Sequence, residues 1–325
     1  MVRRQLLVAT AIFIAALDAA AARAEVLIGV AGPLTGPNAW LGEQTQLGVA
    51  VVIGHQCSGA AIPASEVYAE AGILMISNAA TNPKLTDRGL GNVFRMLGRD
   101  DQQGQIAGRY LAARWGDRKI AIVHDGELYG EGLATYTKQQ LNALGVRETL
   151  FEQIEPGRVD YSDLVARMRA LGVDVLYYGG YAPEAGLIIR QARDKGYQLQ
   201  LVAGHGITSG DFRLIAGSAA DGTRMTLYPD LRASPGAADV AARLRAKHYE
   251  PDGATLLAYA AVQAWAQAVK KAGSLETDAV AAAFRSGKFD TVLGRIGFDA
   301  KGDVTGYDTF VWYVWQEGKY VPLEP

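Results

Sequence analysis

Ser58 and Thr81 each follow an apolar run and sit just before a helix start expected from the pattern. At such places free backbone N–H groups and the helix dipole favour a carboxylate, although an ordinary N-cap would use the same residue types. Tyr129 and Tyr181 lie in two further loops, "DGELYGEG" and "YAPE". Their amphipathic rings are able to close over an ammonium group or an apolar side chain, with core packing as the alternative. Two hydroxyls and two phenols in strand-end loops point to a small anionic or zwitterionic ligand.

Signals for catalysis are weak. Cys57 is the single cysteine, and a catalytic thiol needs a positioned histidine and an electropositive setting. The sequence pairs none of His55, His124, His205 and His248 with it. "GHGITSG" is spaced G-x-G-x-x-x-G, which does not match a dinucleotide fingerprint. There is no G-x-S-x-G elbow, H-E-x-x-H, Walker lysine loop or Cys-x-x-Cys pair. Histidines and carboxylates show no metal-ligand spacing. The expectation is therefore a protein that is not an enzyme and uses no metal or cofactor.

The elements that must position these residues alternate. Apolar runs at 26–31, 49–54, 73–78, 119–124, 173–180 and 199–204 read as strands covered on both faces. Helical periods lie between them, among them "DDQQGQIAGRYLAARW", "EGLATYTKQQLNALG", "DYSDLVARMRALG" and "PEAGLIIRQARDKG", the last three ending at Gly145, Gly172 and Gly196. From Gly236 three successive helices follow, then a closing antiparallel pair that turns at Glu317-Gly318. The fold class this predicts is α/β, with parallel sheets flanked by helices in two lobes joined by several crossovers. Ligands bind outside the carboxyl ends of such strands, so the loops of both lobes should line one cleft that closes by hinge motion.

The N-terminus carries Arg3 and Arg4, an apolar stretch from Leu6 to Leu17, and Ala22-Arg23-Ala24. A stretch of twelve residues is too short for a spanning helix, which needs about 20, and the pattern is that of a secretory signal peptide cleaved after Ala24. Loss of Arg3, Arg4, Arg23 and Asp18 with this leader moves the formal charge from -2 to -4. Nothing in that balance favours a nucleic-acid partner. An exported chain meets oxidising conditions, where a lone cysteine is an odd count.

Several blocks carry a family likeness: "AEVLIGVAGPLTGPNAWLGEQTQLG", "VVIGHQCSGAAIPASEVYAEAGILMISNAATNPKLT", "KIAIVHDGELYGEGLA", "DVLYYGGYAPEAGLIIRQAR" and "FDTVLGRIGFDAKGDVTGY". From about Glu25 to Pro322 the chain resembles the periplasmic leucine/isoleucine/valine-binding proteins of branched-chain amino acid ABC transporters. The resemblance implies a two-lobed type I periplasmic binding protein, located in the periplasm, whose partners are an ABC permease and ATPase at the inner membrane. It implies an N-terminal lobe of residues 25–100 and 230–306 and a C-terminal lobe of 101–229 and 307–325. It also implies that Ser58 and Thr81 hold an α-carboxylate, that the Ala79 carbonyl and Thr81 take the α-ammonium, and that Tyr129 and Tyr181 reach in from the second lobe. Leu41, Ala80 and His205 complete the expected ligand-binding set.

Two departures stand out. His205 occupies a place where the family usually carries an acid that pairs with the ligand ammonium; this predicts weaker amino-acid binding or a shift toward aromatic or keto acids without an α-amino group. A sensory binding protein of the same fold is a further alternative. Second, the resemblance implies that slightly more than one βα unit of the family, on the order of 30 to 45 residues, is missing here between "WLGEQTQLG" and "VAVVIG". Its loss would leave the strand at 26–31 as an exposed edge. In the family, the cysteine before the carboxylate-binding serine usually pairs with one in that segment, which implies a free thiol at Cys57.

Overall fold

The nearly continuous apolar runs become strands, and those at 74–77, 120–124 and 175–179 are buried at every residue. The structure, a computed structural model, describes residues 27–30, 49–234, 236–251 and 253–323. Four parallel strands, β1 (Leu27–Val30), β2 (Val49–Ile53), β3 (Leu74–Ser77) and β4 (Val93–Arg95), form a first sheet in the order β1-β2-β3-β4. β1 pairs with β2 from Leu27 opposite Val49 to Val30 opposite Ile53, and it is an edge strand among the described residues. The connection between the two, and the N-terminal leader, lie outside the described residues.

A second sheet has seven strands. β6 (Leu150–Gln153), β5 (Ile120–His124), β7 (Val175–Gly179), β8 (Gln200–Ala203) and β9 (Arg224–Leu227) run parallel, in that spatial order. β13 (Val311–Gln316) and β14 (Lys319–Pro322) add an antiparallel edge beside β9. The β13–β14 hairpin turns at Glu317 and Gly318, with φ of 49° and 83°, the two left-handed residues that a tight hairpin turn requires. A small antiparallel sheet joins β10 (Lys288–Thr291), β11 (Gly294–Phe298) and β12 (Val304–Thr305).

The helices sit where the 3.6-residue periods place them. α1 (Ser58–Glu70) and the single turn α2 (Lys84–Asp87) belong to the first sheet. α3 (Asp100–Trp115), α4 (Leu128–Ala143), α5 (Ser162–Leu171), α6 (Ala182–Asp194) and α7 (Gly210–Ala216) flank the second. α8 (Ala238–Arg245), α9 (Gly253–Ala272) and α10 (Thr277–Ser286) return to the first. Gly145, Gly172 and Gly196, predicted as helix stops, have φ of 83°, 69° and 67°, the left-handed conformation that releases a chain from a helix.

The core under the first sheet draws on two distant stretches. Val51, Ile76 and Phe94 pack with Leu257 of α9, Phe284 of α10 and Ile296 of β11; the Phe94 and Phe284 rings stack at 4.7 Å. The second sheet buries Val123, Leu176 and Leu201 against α5 to α7 on one face, and Ile122, Tyr177 and Val202 against α3 and α4 on the other. The chain passes between the sheets after β4, after β9 and after β12. At the first passage Gly98 lies so close to the third that a Cβ would stand 2.3 Å from Thr309 Oγ1. Glycine is required there by contact, since two crossing segments share that space.

Candidate functional site

At the carboxyl ends of β2 and β3 the loops bring Ser58, Ala79 and Thr81 together; across from them the ends of β5, β7 and β8 bring Tyr129, Tyr181 and His205. All six line one cavity of about 480 Å³, a volume in the range of small-molecule sites. Gln56, Cys57, Ala182, Pro183, Gly206, Thr208, Ser209, Asp211, Tyr228 and Ala254 also face it. Of the remaining candidates, Leu41 lies outside the described residues. Ala80 stands one layer behind the wall: its N–H donates to Ser77 Oγ at 3.0 Å, and its carbonyl accepts from Arg95 Nη1 at 3.2 Å. Both of its backbone groups are engaged in holding the loop, so its contribution is to position Thr81.

Ser58 is the first residue of α1, with Cys57 as N-cap. Its hydroxyl accepts the Asn82 N–H at 3.2 Å, which leaves its hydrogen to donate elsewhere. The Ala60 and Ala61 N–H groups bond the Cys57 carbonyl, at 3.1 and 2.9 Å, while those of Ser58 and Gly59 precede the first carbonyl the helix could offer them. Thr81 departs from the expected arrangement. It precedes a helix of a single turn, whose N-cap is Pro83, and the dipole of four residues is small. What fixes Thr81 is the start of α3: its carbonyl accepts the Asp100 N–H at 2.9 Å, and its buried hydroxyl faces the Asp100 carboxyl.

Tyr129 is nearly fully buried, on the first turn of α4, with its hydroxyl receiving the Gly206 N–H at 3.0 Å. Its ring lies 5.3 Å from that of Tyr181, the N-cap of α6, and 4.9 Å edge-on from that of His205. Gly204 and Gly206 flank His205 because their surroundings leave no room: a Cβ on Gly204 would stand 2.4 Å from Leu133 Cδ2 and 2.7 Å from the Tyr129 hydroxyl, and one on Gly206 2.3 Å from the Gly180 carbonyl oxygen and 2.8 Å from the Tyr129 ring. The glycine-rich "AGHGIT" therefore serves close packing against Leu133, the Gly180 backbone and Tyr129. Tyr181 faces Cys57 across the cleft, and burial pushes the thiol pKa up while the Tyr181 hydroxyl draws it down by less. Asn82 Nδ2 donates to the Leu128 carbonyl at 2.6 Å, so the two walls also touch directly.

Burial lowers the pKa of His205 to about 4, so its ring is neutral near pH 7. Its Nδ1 lies 3.1 Å from Oε1 of Gln103, a fully buried residue of α3 that sequence reasoning missed. No feature of "DDQQGQ" marks which glutamine turns inward. Asp211 and Tyr228 were missed too, and both follow runs too short or too polar to be read as framing a cleft. Among the described residues no cluster of His, Cys, Asp or Glu fits a metal ion, and no helix is long and apolar enough to cross a membrane.

A model of the periplasmic binding protein family matches residues 44–318. The Leu/Ile/Val-binding protein homolog 1 of Brucella melitensis is 44% identical over 344 aligned positions, which cover 91% of this chain and 93% of the relative. Those positions outnumber the residues of this chain that they span, so some tens of positions in the relative have no counterpart here. Among solved structures, a leucine binding protein from Thermotoga maritima superposes with a TM-score of 0.80 at 22% identity, covering 92% of this chain and 98% of that one. The branched-chain amino acid transporter substrate binding protein of Streptococcus pneumoniae, in complex with isoleucine, gives 0.75 at 26% identity over 87% and 81%. Relatives of this kind are binding proteins. The chain thus belongs to the periplasmic binding protein family, with the two-lobed type I fold and among relatives named for leucine, isoleucine and valine.

Proposed function

We propose that the protein is the solute-binding component of an ABC importer and captures a branched-chain or other apolar amino acid between its two sheets. The observation that carries this reading is the meeting of Ser58 and Thr81 with Tyr129, Tyr181 and His205 around one 480 Å³ cavity. The Ser58 hydroxyl, already accepting from Asn82, turns its hydrogen to the ligand carboxylate together with the free N–H groups of α1. Ala79, Thr81 and His205 face the ammonium, and Tyr181, Ala182, Pro183 and Ala254 supply an apolar wall for the side chain.

In this reading residues 25–100 and 230–306 move as one lobe and 101–229 and 307–325 as the other. The mature chain begins at Glu25, works in the periplasm, and presents its closed form to a permease and ATPase complex. No ligand turnover is expected. A missing βα unit between β1 and β2 fits the unmatched positions of the Brucella relative.

Calorimetry on residues 25–325 tests the reading with leucine, isoleucine, valine, phenylalanine and 4-methyl-2-oxopentanoate. A Kd at or below about 1 μM for a branched-chain amino acid is the expected result. Because the ring of His205 brings no negative charge to the ammonium, the keto acid is the informative competitor. Binding of the keto acid alone by folded protein would replace the amino-acid reading with the carboxylate one.

A further inference from the structure

Gln103 has both ends of its amide engaged. Nε2 lies 3.2 Å from the Thr226 carbonyl oxygen and 2.7 Å from Thr226 Oγ1, while Oε1 lies 3.1 Å from His205 Nδ1. A carbonyl only accepts, so the end at Thr226 must be the NH2 group. Oε1 therefore faces His205, and because it too only accepts, Nδ1 must carry the hydrogen. The opposite tautomer would set two lone pairs against each other in the interior, leaving a buried acceptor unpaired. The Tyr129 hydroxyl, 3.3 Å from the same Nδ1, sits within reach of the same hydrogen.

A neutral ring with its hydrogen on Nδ1 has a lone pair on Nε2. That atom has no hydrogen-bond partner among the described residues, and the ring lines the cavity. The part of His205 left for a ligand is thus an acceptor without charge.

We propose that Gln103, locked by Thr226, is a positioning residue that fixes His205 as an Nε2 acceptor, so that the cavity selects carboxylates bearing an α-ammonium over the same carboxylates lacking one. The inference rests on the amino-acid reading for its ligand and on hydrogen-bond logic alone for its tautomer. Sequence offers no route to it, since Gln103 and Thr226 are 123 positions apart.

Two measurements test the two halves separately. Nitrogen-15 spectra of histidine-labelled, unliganded residues 25–325 at pH 7, with His205 assigned from the signal lost in His205→Gln, should show Nδ1 protonated and Nε2 bare. An Nε2–H ring or an imidazolium overturns the inference whatever the ligand. Calorimetry of Gln103→Leu should then show a Kd for leucine raised tenfold or more, with that for 4-methyl-2-oxopentanoate, where it binds, changed less than threefold. Equal weakening of both ligands in Gln103→Leu, with the tautomer unchanged, refutes the positioning role. Wild-type protein that shows the Nδ1–H ring but binds no amino acid refutes the ligand reading and the selectivity with it. If Gln103→Leu does not fold, the wild-type spectrum alone still decides the tautomer.

Discussion

Arg95 and Asp303, 208 positions apart, meet in the interior: Arg95 Nε lies 2.6 Å from Asp303 Oδ1, and Arg95 has no exposed surface. The same guanidinium donates from Nη1 to the carbonyls of Ala80 and Asn82, on either side of Thr81. Burial pushes the Asp303 carboxyl up, but Arg95, Thr86 and Arg99 outweigh it and hold it below the usual carboxylate range. Arg95→Met leaves the buried Asp303 carboxylate with Arg99 and Thr86 as its remaining partners, so the cost should fall below the about 3–5 kcal/mol of a buried charge left with none. The expected outcome is a urea midpoint lowered accordingly, together with weaker ligand binding as the Thr81 loop loosens. A variant with the parent midpoint would show that the pair contributes nothing to stability.

Ser58→Ala removes a hydroxyl that already has its acceptor side filled by Asn82. A hydrogen bond to a charged group contributes about 1.5–3 kcal/mol, so leucine affinity should fall by roughly tenfold to a hundredfold. Calorimetry checks this, and circular dichroism should show the fold intact. Unchanged affinity would mean that the carboxylate sits elsewhere in the cavity.

Asp100 is fully buried, with the Thr81 hydroxyl beside its carboxyl. Burial raises its pKa to about 7, against the lesser pull of Thr81 and Arg95. The folded state then holds a proton that the unfolded chain has released above the ordinary value of 3.8. Stability should therefore be flat below about pH 4, fall as pH rises toward 7, and level off above it. At about 1.4 kcal/mol per unit the full effect is up to about 4 kcal/mol. Asp125, also raised to about 7 mainly by burial, acts in the same direction. Asp100→Asn should remove its own share, gaining stability over the parent at pH 8 and none at pH 4. Identical urea curves at pH 8 would refute the assignment.

Cys57 is a free thiol, partly buried on the cavity wall. With its pKa raised, little thiolate is present near pH 7, and the thiolate is the reactive form. Alkylation by iodoacetamide followed by mass spectrometry should show one slowly modified site, slower still with leucine bound. Rates unaffected by a saturating ligand would place the ligand away from this wall.

Much of the architecture is legible because burial on two faces leaves a plain mark. The apolar runs became β1, β2, β3, β5, β7 and β8, and "DDQQGQIAGRYLAARW" became α3 residue for residue. β4, β6 and β9 escaped because each is short and carries a charged residue: Arg95, whose ion pair is made across the fold, Glu152 on a half-exposed strand, and Arg224. The cavity residues with chemistry on show, Ser58, Thr81, Tyr129, Tyr181 and His205, were readable one loop at a time. Gln103 and the Arg95 support of Ala80 were not, since contacts between distant segments leave no local period.

The core beneath the first sheet has a consequence for synthesis. Its strands end by Leu97, but Leu256, Leu257 and Phe284, which cover them, are made about 160 residues or more later. At about 5–20 residues per second, Val51, Ile76 and Phe94 emerge roughly 8–30 s before their cover exists. The parallel strands of the second sheet and α3 to α7 run without interruption from Asp100 to Leu227, and that unit can consolidate while the first waits. The N-terminal strands are thus the stretch of the nascent chain that most needs a holding chaperone, and β1, at the sheet edge, is first in line.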